Sequence, residues 1–178
     1  MTRIIIACFS VLLLASCKKE VTELPSATQT GANTFGAKID GVMWGPQGFG
    51  PFPANNLLKT TFNSSTSILL INARNFSSSP NETEFEIQLT GVTGPGTYLL
   101  NTNTTRLSTS SYGYFYKNRL NPVEEWITTA DYTGSVTITR LDVVNLIVSG
   151  TFQFDAISNG TPANTMRVTE GRFDIKIQ

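Results

Sequence analysis

From Phe35 onward the apolar side chains recur at every second position, and no segment repeats at helical spacing. Phe35, Ala37 and Ile39 point one way, Asp40-Gly41 predicts a two-residue type I′ turn, and Val42 and Trp44 return on the same face. Such a turn pairs Ile39 with Val42 and Ala37 with Trp44, so Trp44 lies over a small neighbour and reads as core first. Residues 68–71 are a continuous apolar run, as in a strand covered on both faces. Phe85, Ile87 and Leu89 alternate with Glu84, Glu86 and Gln88, which predicts a strand with one wet face. Val136 and Ile138, then Leu146, Val148, Phe152 and Phe154, all fall on even positions, so the hairpin joining them is expected to have a loop of three or five residues around Asn145. Met166 and Val168 are even but Phe173, Ile175 and Ile177 are odd. A bulge at Glu170-Gly171, with the glycine at positive φ, would absorb the extra residue. About ten short strands punctuated by Gly, Pro and Asn predict an all-β fold, an antiparallel β-sandwich, with a small partly open β-barrel as the alternative.

The first sixteen residues break this pattern and read as a signal peptide. Arg3 is a minimal basic start, residues 4–14 carry no charge, and eleven residues are too few to span a bilayer as a helix. The run ends Leu14-Ala15-Ser16-Cys17, which resembles the bacterial lipobox, in which the cysteine after the cut carries diacylglycerol and an N-acyl chain such as palmitate. Cys17 is therefore the expected lipidation site, and the membrane a partner through it. Lys18-Lys19-Glu20 resembles the charged signal of lipoproteins exported to the outer face of the outer membrane. Residues 17–33 hold the lipidated cysteine and a flexible tether rich in Pro, Ser, Thr and Gly. Residues 34–178 are expected to form one β domain. Sixteen tether residues reach at most about 55 Å.

Composition narrows the chemistry. The 178 residues include no histidine, 13 basic and 13 acidic side chains, and two cysteines. Without histidine the commonest general base and the triads built on it are missing. A zero net charge lacks the basic footprint of a nucleic-acid binder. Cys8 leaves with the signal peptide and Cys17 carries lipid, so the mature chain is expected to form no disulfide and to bind no metal or cofactor.

The segments FGAKIDG at 35–41 with Trp44, GPGTY at 94–98, GSVTIT at 134–139, VSGTFQF at 148–154 and GRFD at 171–174, in this order, are similar to a Bacteroidota family of β-rich lipoproteins of unknown function. The resemblance covers most of the mature chain. It implies a lipid-anchored envelope protein and brings no catalytic residues.

Four groups of residues invite a functional reading. Glu124-Glu125, with Trp126 beside them and Asp131 after, is the one acidic cluster that suggests glycosidase carboxylates. Neighbours on a strand point to opposite faces, and the stretch after Asn121-Pro122 reads as a solvated loop. Asn101, Asn103, Asp142 and Asn145 lack the dense acidic spacing of a calcium loop and read as turn formers. Phe49 and Phe52, in the Gly- and Pro-rich stretch 45–53, either cap the sandwich or form an exposed contact. Tyr112, Tyr114 and Tyr116 share a parity opposite to Phe115. With Phe115 in the core the three rings line an outer face, spaced to stack on sugars or to glue the sheet. The expected protein is thus a monomeric, non-enzymatic surface module that binds a glycan or a protein. A carrier of a small apolar ligand, or a glycoside hydrolase, stands as the alternative.

Overall fold

Period-two patterning produces strands because alternate side chains leave a sheet on alternate sides, so one register buries every apolar residue of a segment at once. The computed structural model describes residues 20–48, 57–78, 81–118 and 123–178. Among them it has no helix and eleven strands: β1 (Thr34–Ile39), β2 (Val42–Trp44), β3 (Leu58–Asn63), β4 (Ile68–Asn75), β5 (Glu82–Leu89), β6 (Gly96–Leu100), β7 (Tyr112–Asn118), β8 (Glu124–Ile127), β9 (Gly134–Asp142), β10 (Ile147–Ser158) and β11 (Thr165–Lys176). Every ladder between them is antiparallel.

The strands form one sheet in the order β2-β1-β11-β10-β8-β7-β5-β4-β3, with β9 and then β6 branching from β10. The fork lies on the twelve-residue β10, whose residues 147–154 pair with β9 while Ile157 and Ser158 pair with Ile127 and Trp126 of β8. The sheet therefore curls on itself until its two lobes face each other. The end of β11 also approaches β3, the last strand in this order: Gln178 N donates to Thr60 O of β3 at 2.8 Å. Sandwich and partly open barrel are two descriptions of this one curled sheet.

Aromatic rings fill the space between the lobes. Phe85, fully buried, has Trp44 at 4.7 Å, Phe115 at 4.8 Å, Phe35 at 5.6 Å and Phe152 and Phe154 at 6.1 Å between ring centroids. The β1–β2 turn is as the sequence predicts, with Asp40 at φ 49° and Gly41 at 84° and with Ile39 opposite Val42 and Ala37 opposite Trp44.

Two local expectations need correction. The bulge in β11 lies where the parity change requires it, but Glu170 takes the positive φ, at 53°. Gly171 is needed for space instead: a Cβ there would stand 2.6 Å from the Phe152 ring. The β9–β10 loop has four residues, since Asp142 pairs with Ile147, and a register shift at Thr139 restores the parity. Asp142 Oδ1 accepts from the amides of Val144 and Asn145, which stabilises this even loop.

The stretch expected as a tether is attached to the fold. Val21 lies against Gly45, and Pro25 covers Gly36 so closely that a Cβ there would meet its ring at 2.7 Å. Residues 28–32 then cross to Asp174 on the outer face of β11. Its carboxylate accepts from Thr28 Oγ1 (2.6 Å), Thr30 N (2.9 Å), Gly31 N (2.7 Å), Ala32 N (3.2 Å) and Ser149 Oγ (2.8 Å). Burial alone would raise the Asp174 pKa, but these donors hold it well below the usual carboxylate range. Residues 21–32 act as a strap.

Candidate functional site

Phe115 is buried in the core, so Tyr112, Tyr114 and Tyr116 do lie on the opposite face of β7. That face is not open to solvent. Residues 101–111 fold back over it, leaving Tyr112 at 0% and Tyr114 at 3% exposure, with Tyr116 half-buried. The expected wet face of β5 is covered too, since Glu84, Glu86 and Gln88 are all buried.

Arg106, from the covering loop, makes this burial tolerable. Its guanidinium donates to both oxygens of Glu86, at 2.8 and 3.1 Å, and to Glu84 at 3.4 Å, and lies 4.9 Å from the Tyr114 ring centroid. Tyr112 OH donates to Glu86 at 2.7 Å and accepts from Leu107 N at 3.1 Å. Burial opposes ionisation of Glu86, yet Arg106 and Tyr112 hold its pKa below the ordinary value. Burial, and then hydrogen bonds to Glu86 and Glu125, push the Tyr112 and Tyr114 phenols up. The tyrosine row is part of a satisfied polar layer that fastens a loop to the sheet.

Glu124 and Glu125 stand on strand β8, where a solvated loop was expected, and they do point to opposite faces. Glu125 accepts from Tyr114 OH at 2.6 Å and from Asn159 Nδ2 at 3.0 Å, while Glu124 pairs with Lys117 at 3.7 Å. Asn103 Oδ1 accepts from Ala130 N, and Asp142 bonds its own hairpin loop. Among the described residues no three His, Cys, Asp or Glu side chains are grouped to hold a metal ion. Cys17, Phe49 and Phe52 lie outside the described residues.

Trp126 leads to a different site. An open cleft of about 410 Å³ lies between the β1–β2 hairpin, β7–β8 and the start of β11. Trp44, Phe115, Trp126, Met43 and Met166 line it, with Lys117, Glu124 and Asn164 among its polar residues. Both indole N–H groups are engaged, Trp44 Nε1 with Thr83 Oγ1 at 2.8 Å and Trp126 Nε1 with Asn164 Oδ1 at 2.6 Å. Lys117 Nζ sits 5.2 Å from the Trp126 ring centroid. At 8% and 4% exposure Trp44 and Trp126 show the cleft a small area of carbon and no free donor. Trp126 was singled out in the sequence and Trp44 was read as core. Met43, Lys117 and the pair Asn164 and Met166 come from three distant stretches, so no sequence signal unites them.

The chain belongs to a family described as a domain of unknown function (DUF6252), whose match spans residues 51–175. Neither the curated proteins nor the solved structures give a match.

Proposed function

We propose that the protein is a lipid-anchored, non-enzymatic module of the bacterial outer membrane, probed at the cell surface by a small ligand with an apolar body, which it holds in the Trp44–Trp126 cleft. The cleft carries this reading: its volume falls in the roughly 300–1,000 Å³ range of small-molecule sites, and it combines an apolar floor with a few polar groups. Engaged carboxylates support the non-enzymatic part. Glu84 and Glu86 are bound by arginines, Glu125 by Tyr114 and Asn159, and Glu124 by Lys117, whereas a glycosidase needs one carboxyl group kept protonated. Anchoring rests on the lipobox ending at Cys17.

Two measurements test the reading. In Triton X-114 partitioning the native chain should enter the detergent phase and Cys17→Ser should move it to the aqueous phase; identical partitioning refutes the anchor. Titration with the amphiphilic dye 1-anilinonaphthalene-8-sulfonate should quench tryptophan emission saturably, and Thr165→Phe, which fills the exposed rim of the cleft, should remove that saturation. Unchanged quenching in Thr165→Phe refutes the cleft.

A further inference from the structure

We infer that the cleft opens toward the bilayer and that its ligand is the acyl chain of a membrane lipid; this rests on the anchored reading proposed above. The strap supplies the geometry. With residues 21–32 fastened across the sheet, only the four residue steps from Cys17 to Val21 remain between anchor and domain, at most about 14 Å. A free tether of sixteen residues would have allowed about 55 Å. Val21 is fastened at Gly45, the residue next to Trp44, so the short lead and one wall of the cleft share a corner of the domain. Val42, which lines the cleft from the same short strand, is 70% exposed.

The chemistry of the cleft selects the ligand class. Both indole N–H groups are already satisfied, so a sugar lying on this floor would find carbon opposite its hydroxyls and lose their hydration without replacement. An acyl chain makes no such demand. Lys117, already paired with Glu124, and the side-chain amide of Asn164 lie at the cleft, where the ester of a lipid whose tail enters it would meet them. Lys18 and Lys19, directly after the anchor, favour the same apposition by their attraction to anionic head groups.

The chain has two tryptophans and both line the cleft, so tryptophan emission reports on it directly. In phosphatidylcholine vesicles with brominated acyl chains, the native lipidated protein should lose at least half its emission relative to unbrominated vesicles. Asp174→Asn, which loosens the strap, and Val42→Asp, a change at an exposed position, should each recover much of that emission. Soluble Cys17→Ser protein should be quenched saturably by dibromostearate, and Thr165→Phe in that background should not. A native chain that partitions with membranes yet keeps its emission in brominated vesicles overturns the inference and leaves the anchor standing. Quenching that both variants leave unchanged, or no saturable quenching by dibromostearate, also overturns it. A native chain that stays in the aqueous phase overturns both readings together.

Discussion

Asp174 gathers six donors from residues 28–32 and from β10 onto one carboxylate, so its removal strands several of them at once. Asp174→Ala should cost about 3 kcal/mol, the upper range for hydrogen bonds to a charged group, in urea unfolding followed by circular dichroism. Asp174→Asn, which keeps the shape and some acceptors, should cost less. Gly171 gives a second test at this scale. Parity located the bulge but not the division of labour within it, because alternation counts residues and is blind to a ring lying across the backbone. Gly171→Ala should destabilise by about 1–3 kcal/mol through overpacking against Phe152. The cost should shrink in a Phe152→Leu background, so the double-mutant cycle should show coupling; additive effects would mean that Phe152 is not the obstacle.

At the scale of elements, alternation was a reliable guide to inward faces and a poor one to outward faces. Phe85, Ile87 and Leu89 are buried as their period requires, but Glu84, Glu86 and Gln88 are buried as well. Their cover, residues 101–111, has no apolar period, since it is held by Arg106 and by backbone carbonyls that accept from Gln88. The strap was illegible for the same reason: Thr28, Thr30 and Gly31 are held by hydrogen bonds to a distant aspartate, and such composition reads as a linker. Arg106→Ala should cost about 2 kcal/mol, below the 3–5 of a fully buried pair because 38% of the Arg106 side chain is exposed. It should also raise protease cleavage within residues 101–111 before global unfolding, which limited proteolysis will resolve. A chain of residues 34–178 should stay β-rich but melt several degrees below one of residues 20–178; equal melting temperatures would reduce the strap to an ornament.

For the molecule as a whole, the absence of histidine and the placement of its buried carboxylates set the response to pH. No side chain has an ordinary pKa near neutrality, so stability should be flat from about pH 6 to 8. Asp174, under the strap, and Glu86, under residues 101–111, both have folded pKa values below their ordinary ones. A carboxylate depressed in the folded state binds more protons when unfolded, so its contribution is complete above the unfolded pKa of about 4 and is lost as pH falls toward the folded value. At the other end, Tyr112 and Tyr114 are raised by burial and by hydrogen bonds to carboxylates. Their contribution is complete below the unfolded pKa of about 10 and is lost above it. Because Asp174 and Glu86 belong to separate attachments with no shared partner, their effects should add. Melting temperature against pH should therefore show a plateau with an acid limb below about pH 4. Asp174→Asn and Glu86→Gln should each lower the plateau and flatten part of that limb, and the double variant should flatten it by the sum. An acid limb of unchanged steepness in the double variant would assign acid unfolding to other carboxylates and leave the strap and the covering loop without a role in it.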